Sequence, residues 1–252
     1  MNKLTFVRAV GTIFVALIIV GSMAGIIIPR GIGLDFANFY DAGQKALVGQ
    51  FASLYDPFAL IDGQKPLGNM TFFSFPITSY LFTPFARFEP KIALVLFKVQ
   101  STLFIWAGLL VLYFHLRKFV GSGRERQIVF FAIFAGAALL FQPFWTVYRV
   151  GGQTTPLIFL LLLLGLIYFT AGRFWIAAAC YVLVVLIKPV FAPGLALLFL
   201  FSATRFRFAS VLLSAIAAAG SILWLGQDVH MFFLEKLTEQ GSKFMTPYFN
   251  SN

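Results

Sequence analysis

The chain has 252 residues, of which 60% are hydrophobic and only 11% charged, with a formal net charge of +10 at pH 7. A soluble globular domain carries about 45–50% apolar and about 25% charged residues, so this composition excludes an ordinary soluble enzyme and predicts an integral membrane protein. The basic residues sit at the ends of apolar runs, where the positive-inside rule puts them, and not in the clustered patch that would hold nucleic acid.

The first apolar run, 9–28, is long enough at ~1.5 Å per residue to cross a hydrocarbon core of ~30 Å. Lys3 and Arg8 precede it, and Ser22-Met23-Ala24 looks like a cleavage site, so a signal peptide is the alternative reading. Because the run continues through Ile26, Ile27 and Ile28, a retained first helix is expected.

A long outer loop, 29–91, follows. It contains GLDFANFYDAGQKALVGQFASLYDP, residues 33–57, which with Asp62 just beyond holds Asp35, Asp41 and Asp56 in a chain of only 9 acids. Phe36, Phe39, Tyr40, Gly43, Ala46 and Leu47 fall on one helical face, which predicts an amphipathic helix on the membrane surface, stopped near Gly49. In that helix Asp35 reads as an N-cap and Asp41 with Lys45 as a pair four residues apart. Asp56 before Pro57 reads as the N-cap of a further helix. Asp35 has a second reading. It lies at the water–lipid boundary just past the first span, where a carboxylate can meet a lipid-linked substrate and act as a general base.

Further spans are expected at about 92–116, 128–148, 155–171 and 208–226, with a polar tail over 227–252. Ala171-Gly172-Arg173 closes one of them. The apolar stretch 174–203 is interrupted by Lys188-Pro189. As one helix it would set a lysine at mid-membrane, at about 2.5–3.5 kcal/mol on insertion scales. As a hairpin of two short helices it carries Lys188 at the outer tip, and this is the preferred reading; a single kinked helix is the alternative. The sum is an all-α, polytopic, single membrane domain over 1–252 with about seven membrane helices, two of them short.

Charge supports the hairpin. It puts Lys3, Arg8, Arg117, Lys118, Arg124, Arg126, Arg173, Arg205 and Arg207 on the cytoplasmic side with one acid, Glu125, and every other acid outside. The loop with Asp35 then faces away from the cytoplasm, together with Arg149, Gln153 and Lys188. Arg149 also has a snorkelling reading. An ammonium at a hairpin tip suits a phosphate, and Gln153 follows Gly151-Gly152, which leave the backbone open to a ligand. Cys180 has no internal disulfide partner, and His115 and His230 are too far apart to form a metal motif.

The ordered set Asp35, Tyr40, Ala42-Gly43, Leu47, Gly49 and Tyr55-Asp56-Pro57 resembles the first outer loop of glycosyltransferase family 87. Phe75-Pro76 through Thr83-Pro84-Phe85, Arg149 through Gln153, and Ile187-Lys188-Pro189 are similar to that family's later landmarks, in the same order, so the resemblance covers roughly 33–207. It departs from the pattern at Ile77, where a second proline is usual, and at Thr154, where an asparagine is frequent. The resemblance implies a C-type glycosyltransferase fold and transfer of a mannose-like hexose from a polyprenyl-phosphate donor to a lipid or glycan acceptor, with inversion. The site would lie at the outer face of the cell membrane, a bacterial inner membrane. It implies Asp35 as base, Tyr40, Tyr55, Asp56, Arg149, Gln153 and Lys188 on the substrate side, and no metal or other cofactor. Family members run longer, which implies truncation at the C-terminus. Two other classes remain open: a polyprenyl-lipid-binding piece without turnover, and a transporter or flippase of lipid-linked sugar, to which a broken helix such as 174–203 also belongs.

Overall fold

The computed structural model describes residues 3–27, 34–56, 72–140 and 152–249, and they are helical with no strand among them. The helices are α1 (Lys3–Ile27), α2 (Leu34–Leu47), α3 (Thr83–Ala86), α4 (Pro90–Leu116), α5 (Gly123–Leu140), α6 (Thr155–Thr170), α7 (Phe174–Ile187), α8 (Ala192–Leu200), α9 (Thr204–Leu225) and α10 (Gln227–Phe249). Short 3-10 turns occupy Phe51–Ser53, Pro76–Phe82, Arg117–Phe119 and Pro189–Phe191.

Among the described residues two segments, Pro90–Phe119 and Thr204–Leu225, are long and apolar enough to cross a membrane. At ~1.5 Å per residue the second reaches roughly 33 Å, against a core of about 30 Å. It leaves Phe208, Val211, Ile216, Leu223 and Trp224 exposed, an apolar surface of the kind that suits lipid. Gly11–Ile26, Thr155–Thr170, Phe174–Ile187 and Pro189–Leu200 are apolar but shorter. The expected span 128–148 runs past Leu140 into residues outside the described ones. The apolar helices fit membrane association.

The chain divides into two compact units, Met1–Phe36 with Lys91–Cys180, and Ala37–Pro90 with Tyr181–Asn252. In the first, Ile18, Ile105 and Leu109 form the buried centre, with Trp106, Phe130, Ile133 and Phe159 packed on it. Lys98, 2% exposed in α4, donates from Nζ to the Gly25 carbonyl at 3.1 Å. That carbonyl lies in the last turn of α1, where helix carbonyls lack intrahelical donors and a cation is favoured. The lysine that the sequence places inside an apolar span thus secures a helix end.

α5 opens on a reciprocal capping box. The Ser122 amide donates to Glu125 Oε2 at 2.9 Å, and the Glu125 amide donates to Ser122 Oγ at 3.1 Å. Hydrogen bonds to the carboxylate from the Ser122 amide, and then from its side chain, hold the Glu125 carboxyl below its ordinary value of 4.5. A depressed carboxyl contributes stability above its unfolded-state value and loses it as pH falls through the folded one. Measured against their intrinsic exchange rates, the first-turn amides of α5 are therefore expected to lose protection as pH falls below about 4.5. In Glu125→Gln that acid dependence should vanish, and a persistent one would contradict the cap.

In the second unit α2 packs on the backbone of Phe82. Phe39 stacks on the Phe82 ring with centroids 4.6 Å apart, and a Cβ on Gly43 would lie 2.7 Å from the Phe82 carbonyl oxygen. Only glycine permits that approach. Asp41 and Lys45 form the expected pair, at 2.8 Å. The helix closes through Gly49 N–H to Ala46 and Gln50 N–H to Lys45, a Schellman pattern. Tyr168 and Phe169 accept the same pair of bonds from Arg173 and Gly172 at the end of α6.

Two local expectations change. Asp35 is no N-cap: α2 begins at Leu34, so Asp35 stands within its first turn. The tail expected over 227–252 is helical through Phe249. Its Val229, His230 and Phe233 are buried, a stripe at helical spacing that the surrounding polar residues conceal in the sequence. His230 ties α10 to α9, with Nδ1 2.8 Å from the Gly226 carbonyl and Nε2 2.8 Å from Ser221 Oγ. The carbonyl can only accept, so Nδ1 carries a proton.

Candidate functional site

The site in the first unit is built on Asp35, half-buried in the first turn of α2, where a negative charge is stabilised by the helix N-terminus. Gln153 Nε2 donates to Asp35 Oδ2 at 2.9 Å across 118 residues of sequence. Thr155 Oγ1 donates to Gln153 Oε1 at 3.1 Å. A carboxylate only accepts, so the amide nitrogen must face Asp35, and the threonine fixes the other end of the amide. Asp35 Oδ2 is thereby held, and Oδ1 makes no hydrogen bond among the described residues.

The turn that delivers Gln153 depends on Gly152. Its φ is +94°, a left-handed conformation, and a Cβ there would lie 3.0 Å from the Phe97 ring and 3.1 Å from Phe36 Cβ. Phe36 and Phe97 pack with centroids 5.5 Å apart. The residue after Asp35, a ring of α4 and the residue before Gln153 therefore lock together, which fixes the carboxylate and the amide in one frame. Thr154 Oγ1 is buried without a hydrogen-bond partner among the described residues.

In the second unit, Tyr40 is buried and donates to the Phe88 carbonyl at 2.8 Å while accepting from Gln44 Nε2 at 3.2 Å. Tyr55, 3% exposed, donates to the Ser74 carbonyl at 3.0 Å. Burial pushes both phenols up, with Glu89 adding to the effect at Tyr40. Neither hydroxyl is a base near neutral pH. Asp56 is exposed, and its amide donates to the Ser53 carbonyl at 3.0 Å; the helix expected from Pro57 lies outside the described residues, as does Asp62.

Lys188 is half-buried, and it breaks the helix as the sequence requires: α7 stops at Ile187, Lys188 takes φ −136° and ψ 89°, and Pro189 opens a 3-10 turn. Of the residues expected to share a site, the structure brings Asp35 and Gln153 together. Arg149 and Gly151 lie outside the described residues. Thr155, which orients Gln153, went unnoticed in the sequence because it reads there only as the start of a helix after a turn. Among the described residues no group of His, Cys, Asp and Glu side chains is placed to hold a metal ion.

The family model for glycosyltransferase family 87 matches residues 73–252. The match takes in Gln153, Thr155 and Lys188 and begins after Asp35. Among curated proteins and solved structures, none gives a significant match.

Proposed function

The chain belongs to glycosyltransferase family 87, and from that premise we propose that it transfers a mannose-like hexose from a polyprenyl-phosphate donor to a lipid or glycan hydroxyl at the outer face of the membrane. The reading includes a C-type fold of about seven membrane helices in one membrane domain, with α7 and the segment after Lys188 as a short hairpin. The observation that carries it is the Gln153–Asp35 bond of 2.9 Å, which holds one carboxylate oxygen while the other makes no hydrogen bond among the described residues.

The reaction runs as a single displacement. The acceptor hydroxyl loses its proton to Asp35 Oδ1 as its oxygen attacks the anomeric carbon. The bond between that carbon and the phosphate oxygen breaks, and its electron pair leaves on a polyprenyl monophosphate. Lys188 and Arg149 neutralise the growing phosphate charge, the fixed electrostatic role that accounts for much of catalysis elsewhere. Asp56 is assigned with them to substrate binding. Tyr40 and Tyr55, whose hydroxyls are engaged by main-chain carbonyls, do not handle protons.

The test is to incubate membranes holding the full chain with radiolabelled polyprenyl-phosphate mannose and an endogenous lipid extract. Labelled product that is not polyprenyl-linked is expected. Label that crosses the membrane still joined to its carrier would replace the transferase with a flippase.

A further inference from the structure

The last turn of α7 is held by a strap from another part of the chain. A helix end leaves its final carbonyls without donors, and Pro189, lacking an N–H, cannot serve Val185. Val184 is served by the Lys188 amide at 2.8 Å. The next two available partners come from far away in sequence. The Phe75 amide donates to the Leu186 carbonyl at 2.8 Å, and Ser74 Oγ donates to the Ile187 carbonyl at 2.6 Å.

Ser74 is itself fixed. Its own carbonyl accepts the Tyr55 hydroxyl at 3.0 Å, and the Tyr55 ring packs against Phe72 and Phe233, with centroids 6.0 Å and 5.8 Å away. Tyr55 and Ser74 are each 3% exposed and Ile187 is 2% exposed, so these bonds compete little with water. The result is a chain of contacts from Tyr55 through Ser74 to the residue immediately before Lys188. Lys188 leaves the helix at a backbone angle set on its N-terminal side by that strap and on its C-terminal side by the Phe191 amide bond to the Lys188 carbonyl, 3.1 Å.

We propose that Tyr55 and Ser74 are positioning residues for Lys188, setting the point and direction from which its ammonium meets an isoprenoid monophosphate. The inference rests on the reading above that Lys188 neutralises the donor phosphate. It gives Ser74 a role, and it moves Tyr55 from substrate contact to support. Removing the Ser74 hydroxyl orphans a buried carbonyl, and a helix end deprived of its partner shifts or frays. A group that must meet a phosphate within hydrogen-bond distance loses most of its effect when displaced by an ångström.

The experiment measures binding of farnesyl phosphate and of farnesol to the detergent-purified full chain. Lys188→Ala should weaken farnesyl phosphate about tenfold or more and leave farnesol unchanged. Ser74→Ala and Tyr55→Phe should do the same to a lesser degree, about threefold to tenfold, and add nothing in the Lys188→Ala background. Tyr55→Phe keeps the ring packing, so it carries the test even if Ser74→Ala folds poorly. Losses that add fully to that of Lys188→Ala, or that fall equally on farnesol, would assign Tyr55 and Ser74 a general structural role and overturn the proposal. Weakening by Lys188→Ala without any by the other two would overturn it while sparing the lysine's assignment. No effect of Lys188→Ala would remove both.

Discussion

Asp35→Asn is expected to lower sugar transfer by about 10²–10⁴, the usual contribution of a positioned general base, which corresponds to about 3–5 kcal/mol of transition-state stabilisation. The substitution keeps the shape of the side chain, and an asparagine oxygen can still accept from Gln153 Nε2, so the frame of Gly152, Phe36 and Phe97 should stay intact. What is lost is the ability to take the proton of the attacking hydroxyl. The loss should therefore fall on kcat, with donor KM nearly unchanged, the pattern of an interaction made only in the transition state. A variant whose KM rises while kcat holds would make Asp35 a binding residue.

Gly152→Ala is expected to damage the same site from the backbone. A side chain at φ +94° is strained by about 1–3 kcal/mol, and the new methyl must also displace Phe97 or Phe36, at 3.0 Å and 3.1 Å. Either ring can give only by disturbing the contact between them, and Phe36 is bonded directly to Asp35. The thermal midpoint should fall by several degrees, and transfer should fall by more than the loss of folded protein explains, because Gln153 moves with the turn. Unchanged stability and unchanged transfer would show that the turn at Gly152 is not the frame of the site.

The local features of this fold were legible because local chemistry decides them. Proline after Lys188, glycine at 49 and 172, and the Asp41–Lys45 spacing each fix a break, a stop or a pair within one or two turns of helix, and each occurs where expected. The family was legible for a related reason: ordered short motifs over roughly 33–207 survive as sequence even where each is weak, and the family model matches 73–252. The tail from Gln227 misled because its charged and polar residues outweigh a narrow buried stripe of Val229, His230 and Phe233. The candidate site was only half legible. Asp35 and Gln153 could be proposed as partners, but Thr155 and Ser74 act through single hydroxyls on groups 2 and 113 residues away. Nothing in a serine's or threonine's neighbours announces such a bond.

The central claim is that Asp35 works as a base in a single displacement and not as a nucleophile in a double one, since a carboxylate beside an anomeric carbon can do either. The anomeric configuration of the transferred sugar separates them directly. Purified full chain given a polyprenyl-phosphate mannose of defined anomer should form a product of the opposite anomer, by NMR of the isolated glycoside, and Asp35→Asn should form almost none. A product that keeps the donor's configuration, or one formed at full rate by Asp35→Asn, would contradict the account.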